Sequence, residues 1–101
     1  MKSIIQTDDK CFNCHQAYGS QTHHVFGASN RKHSDADGLT VRMCPKCHDE
    51  IHFSGDKSKR MMDALHKLGQ EKWEAYYGPD LEREGKDPRE AFMERYGKNY
   101  L

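Results

Sequence analysis

The chain has 101 residues, 35% of them hydrophobic and 32% charged, and its 16 basic residues balance its 16 acidic ones. So short and polar a chain cannot bury a large apolar core, and such chains often rely on a metal or a disulfide. Zero net charge excludes a bulk electrostatic attraction to nucleic acid, so any affinity for phosphate must come from local clusters or bound metal.

Residues 1–10 form a polar lead-in, in which Ile4 and Ile5 pack locally. Cys11-Phe12-Asn13-Cys14 is a first knuckle, a tight turn whose backbone N–H groups can face the sulfurs. Thr22-His23-His24-Val25-Phe26 is rich in β-formers and predicts a short strand. Gly27 to Gly38, dense in Gly, Ser, Asn and Asp, predicts a loop. Leu39-Thr40-Val41-Arg42-Met43 alternates apolar and polar positions and predicts a second, half-buried strand. Cys44-Pro45-Lys46-Cys47 is the second knuckle, and it opens a helix from Pro45 to Phe53 with proline at its first position. His48 and His52 then project from one helix face.

A longer helical pattern covers residues 58–77, with Met61, Ala64, Leu65 and Leu68 at helical spacing; Gly69 is a candidate bend and Gly78-Pro79-Asp80 the stop. Asp87-Pro88-Arg89-Glu90 reads as a capping box opening a last helix over Pro88–Tyr96, with Phe92 and Tyr96 on one face.

Two C-x2-C pairs separated by about thirty residues point to a structural zinc held by Cys11, Cys14, Cys44 and Cys47 rather than to a disulfide framework. Met1-Lys2-Ser3 leads into no apolar run and no stretch approaches the roughly 20 apolar residues of a membrane span, so no leader and no membrane contact are expected. A reducing, cytoplasmic setting suits free thiolates. The His48-x3-His52 pair has the spacing of two ligands on one ion. At a distorted strand end, one imidazole of His23-His24 could join them while the next faces a substrate. Three ligands with open positions would make a reactive rather than a structural centre. His15, His33 and His66 read as solvated side chains.

The order His23-His24, turn-rich loop, short strand, Cys44-x2-Cys47-His48-x3-His52 resembles the HNH nucleases of the ββα-metal class, over residues 11–53. Colicin-type DNases of that class carry the same His-His pair and helical His-x3-His. The Gly97-Lys98-Asn99-Tyr100 ending is similar to the tails of small phage-encoded HNH proteins. The resemblance implies an α+β fold. Residues 1–55 would be a zinc-stapled ββα-metal nuclease core and residues 56–101 a C-terminal helical extension packed on it.

By that resemblance His23, His48 and His52 would hold one catalytic divalent ion (Zn2+, Ni2+, Mn2+ or Mg2+), distinct from the structural Zn2+. His24 would be the general base that takes a proton from the attacking water. The family's middle residue is usually an asparagine that orients the base. Here Asp35-Ala36-Asp37-Gly38-Leu39 offers Asp37 in its place. Arg31, Lys32, Arg42 and Lys46 are candidate phosphate contacts, of the kind that position DNA without reading its sequence. The implied function is hydrolysis of DNA phosphodiester bonds. The C-terminal helices are left to a DNA clamp, a dimer surface, or contact with phage packaging or recombination proteins. The alternative is a non-catalytic zinc-binding module for nucleic acid or protein, which would close the histidine site with a fourth protein ligand.

Overall fold

A computed structural model describes residues 1–53 and 55–101. The chain is mixed α+β. Strand β1 (Gln21–His24) is followed by a 3-10 turn (Ala28–Asn30), helix α1 (Arg31–Asp37) and strand β2 (Thr40–Met43). Helices α2 (Pro45–His52), α3 (Asp56–Arg83) and α4 (Pro88–Tyr96) complete it. β1 and β2 pair antiparallel, with His23 opposite Val41 and His24 opposite Thr40. No described helix is long and apolar enough to cross a membrane.

β2 keeps the alternation of its sequence: Val41 and Met43 are buried, Thr40 and Arg42 are not. β1 lies one residue earlier than expected at its start and ends at His24. Val25, whose N–H still bonds the Leu39 carbonyl (3.0 Å), and Phe26 follow it into the core, both at 2% exposure or less. The lead-in runs beside β2: Ile4 N–H donates to the Gly38 carbonyl (2.8 Å) and Arg42 N–H to the Gln6 side-chain oxygen (2.8 Å).

The segment expected to be a loop, Gly27–Gly38, is instead largely helical. Its turn-prone composition is overridden by tertiary bonds. Buried Ser34 accepts from Phe26 N–H (3.0 Å) and donates to the Phe26 carbonyl (2.8 Å), clamping α1 across the end of β1. Gly38, at φ 78°, closes the helix in the left-handed conformation that glycine adopts without steric penalty.

The stop expected at Gly78-Pro79-Asp80 does not operate, and α3 runs through it to Arg83. Proline removes one helical hydrogen bond, but Gly78 is buried beside Pro88 and Leu81 packs on the core one turn later. The stop in use is Gly85 (φ 76°): Gly85 N–H bonds the Glu82 carbonyl (3.0 Å) and Lys86 N–H the Leu81 carbonyl (2.9 Å), a Schellman closure. α3 continues unbroken through Gly69. That glycine lets α3 approach the end of β1 so closely that a Cβ there would lie 2.7 Å from Val25 Cγ1. α4 starts with proline at its first position, but Asp87 makes no side-chain cap, so the capping box does not form.

An aromatic cluster joins the C-terminal helices to the strands. Phe92 stacks on Tyr96 (centroids 4.6 Å apart), and Phe26 and Trp73 lie against both. His66, expected at the surface, is half-buried and stacks on Phe26 at 5.1 Å, and its burial pushes its pKa down.

Candidate metal centres and the histidine groove

Two groups of metal-ligating side chains form where β1, β2 and α2 meet. One sulfur from each of Cys11, Cys14, Cys44 and Cys47 lies within 4.8 Å of the others. The first knuckle is closed by Cys11 N–H to the Ala17 carbonyl (2.8 Å) and His15 N–H to the Cys11 carbonyl (2.9 Å). His15 itself is exposed, with its backbone in the left-handed region at φ 59°. The second knuckle is the start of α2, with Cys44 preceding the helix and Cys47 buried in its first turn.

The surroundings of these thiols suit a cation. Burial raises the Cys11 thiol, but backbone N–H groups of Cys14, Cys44 and Asn13 outweigh it and bring the pKa down to about 6. Cys14 is also lowered, by the backbone of Ala17 and Gln16. The Asn13 amide (3.4 Å) pulls Cys47 down, but burial and the three neighbouring sulfurs prevail and push it up to about 12. Four sulfurs this close cannot all ionise without a positive charge among them. The cluster could hold one structural metal ion.

The second group is His23, His48 and His52, one ring nitrogen of each again within 4.8 Å of the others. His48 Nε2 and His52 Nε2 are 3.0 Å apart, close to the roughly 3.3 Å expected for two nitrogens bound tetrahedrally to one zinc-sized ion. The His23 ring meets both edgewise, with centroids 5.5 Å away. Its Nε2 is buried and has no hydrogen-bond partner among the described residues, which native structures rarely tolerate unless something else occupies the position. The chemistry of the three donors therefore fits a divalent ion. Among the described residues no fourth cysteine, histidine or carboxylate joins them. Exposure rises from buried His23 through half-buried His48 to exposed His52, so the group opens to solvent on one side.

His24 lines the same groove, of ≈ 290 Å³, with Arg31, Met62 and the three clustered imidazoles. Its Nε2 faces Asp35 Oδ1 at 3.4 Å. Asp35, on α1, is the carboxylate beside this imidazole, and the Asp37 assignment is corrected. The Asp37 carboxylate accepts from Trp73 Nε1 (2.9 Å), Tyr96 Oη (2.8 Å) and both Arg95 Nε (2.6 Å) and Nη2 (2.8 Å). It ties α1 to α3 and α4 and has no role in orienting His24. Removing it strands Arg95 and two buried donors. Asp37→Ala is expected to lower stability by about 3 kcal/mol in urea unfolding while leaving ion uptake by the intact fold unchanged.

Among the basic candidates, Arg31 lies on the groove and Lys32 is exposed on α1. Arg42 is engaged within the chain: Nε donates to the Gly19 carbonyl (2.7 Å), Nη2 to Tyr18 Oη (2.9 Å), and the guanidinium sits 5.2 Å from the centre of the Tyr18 ring. These contacts brace the segment after the first knuckle against β2. Lys46 faces the cysteine side of α2, beside Cys14, Cys44 and Cys47. One residue that carried no sequence signal also belongs to the site. The Gln21 amide oxygen contacts His48 Nδ1.

Burial, then the nearby His48 and His52, pushes the His23 pKa down from 6.5 to about 4. The folded value lies below the unfolded one, so the unfolded chain binds more protons between them. This contribution to stability is complete above about pH 6.5 and is lost as pH falls toward 4. With metal on the cysteines only, the His23 resonances are expected to stay at their neutral positions down to about pH 5.5, where the chain should be about 1 kcal/mol less stable than at neutrality. An NMR titration paired with urea unfolding measures both.

Comparison of the chain with protein-family models, with curated proteins and with solved structures gives no match.

Proposed function

We propose that this chain is a metal-dependent endonuclease with an HNH-type ββα-metal core, hydrolysing phosphodiester bonds in DNA. One observation carries the proposal: three imidazoles from a strand and a helix converge on one point, and a fourth, His24, lines the same open groove. A binding module would be expected to close such a site with a fourth protein ligand, whereas three ligands and open solvent leave room for a phosphate oxygen and water. The antiparallel β1–β2 pair followed directly by α2 is the arrangement the HNH resemblance requires.

His23, His48 and His52 would hold the divalent ion, which when bound supplies Lewis acidity for charge developing on the phosphate and the leaving oxygen. Zinc is the ion that suits the four cysteines, and its part there is structural. His24 Nε2 faces the Asp35 carboxylate, which favours a proton on that nitrogen and leaves Nδ1 as the base for water. Arg31 holds a substrate phosphate at the rim of the groove and carries no base specificity.

Supercoiled plasmid incubated with the zinc-loaded chain tests this. Nicked circles should accumulate with added Zn2+, Ni2+, Mn2+ or Mg2+ and should not form when chelator sequesters the added ion before plasmid is mixed in. Plasmid left supercoiled with every ion, although the chain binds two metals, would favour the non-catalytic module.

A further inference from the structure

We propose that Gln21 is a positioning residue that fixes the tautomer of His48 and thereby makes its Nε2 a metal ligand. The inference rests on the histidine metal centre proposed above. Gln21 precedes His23 by two residues on β1, so both side chains leave the same face of the strand. It sits opposite Met43, the residue before the second knuckle, and its half-buried amide reaches α2. There the amide oxygen contacts His48 Nδ1.

With the amide oxygen, which only accepts, turned toward it, Nδ1 carries the ring proton in this proposal and Nε2 keeps its lone pair. Nε2 is the nitrogen 3.0 Å from His52 Nε2, on the side where the three imidazoles meet. The opposite tautomer would put a proton into that meeting point and block coordination. Ligating histidines are generally held in this way through the second ring nitrogen, most often by a carboxylate or a backbone carbonyl. Gln21 does it with a neutral group. It sets the tautomer without adding negative charge, which leaves the bound ion a stronger Lewis acid than a carboxylate partner would.

The test uses the full chain with one zinc on its cysteines, titrated with Ni2+ in a calorimeter. The parent should take up one further ion. Gln21→Ala should bind it about 10- to 100-fold more weakly, and Gln21→Glu, which keeps the acceptor, at least as tightly as the parent. Before Ni2+ is added, the 15N resonances of His48 should show a protonated Nδ1 and a bare Nε2. No further ion in the parent would overturn the histidine centre, and the role of Gln21 with it. Uptake by the parent with Gln21→Ala unchanged, or His48 protonated on Nε2, would overturn the role of Gln21 alone. Should Gln21→Ala not fold, the tautomer and Gln21→Glu decide: a glutamate variant binding more than about tenfold weaker is also contrary.

Discussion

Loading the four cysteines with zinc and then stripping it with a strong chelator, or the substitution Cys11→Ser, is expected to unfold the chain at room temperature. Cys11 is fully buried, and backbone N–H groups of Cys14, Cys44 and Asn13 face its sulfur. The cluster joins a turn at residues 11–14 to the start of α2, and without it little else holds that turn. The lead-in and knuckle are otherwise tied down by the Lys10–Tyr18 bridge, the Arg42 brace and a few backbone bonds. Structural zinc contributes about 10–16 kcal/mol on binding, against a total of about 5–15 kcal/mol for a domain. Loss of the ion therefore exceeds what the aromatic cluster can offset. Circular dichroism with and without chelator measures this. A chain that keeps its helical signal and a sharp thermal transition after complete metal removal would show that Trp73, Phe92 and Tyr96 hold the fold unaided.

What was legible in the sequence was what is local. A C-x2-C turn brings its sulfurs together whatever the rest of the chain does, and histidines four apart on a helix share a face. Both groupings form as their spacing requires. The contacts that sequence patterns do not reach are long-range. Asp37 meets Trp73, Arg95 and Tyr96, residues 36, 58 and 59 positions further on, and nothing near Asp37 announces them. Helix α1 was hidden because Ser, Asn and Asp favour turns, and the bonds from Ser34 to Phe26 that override this cross the segment rather than run along it. Gly78-Pro79 is a strong local stop defeated by packing on Leu81, while Gly85 closes the helix with the same chemistry further on. Gln21 left no trace because a glutamine on a short strand matches no pattern, and its role is visible only once α2 is in place.

The groove has a consequence for how its four histidines divide their work. Neighbours on a strand point to opposite sides, yet His23 and His24 line one groove because β1 ends at His24 and the chain turns away into Val25 and Phe26. His23 is buried against His48 and His52, and His24 stands beside Asp35 at the rim. Under the proposed function, His24→Ala is therefore expected to slow plasmid nicking by about 10²- to 10⁴-fold, the usual contribution of a general base. Ion uptake and thermal stability should stay close to those of the parent. His23→Ala should differ in kind: it removes a ligand, so the second ion should be lost along with nicking. Asp35→Asn should have a much smaller effect, since that carboxylate is mostly exposed and its contact is long. Measuring nicking and metal content together separates the two roles. If His24→Ala nicks as fast as the parent, the base assignment is wrong; if it loses the second ion, His24 belongs among the ligands.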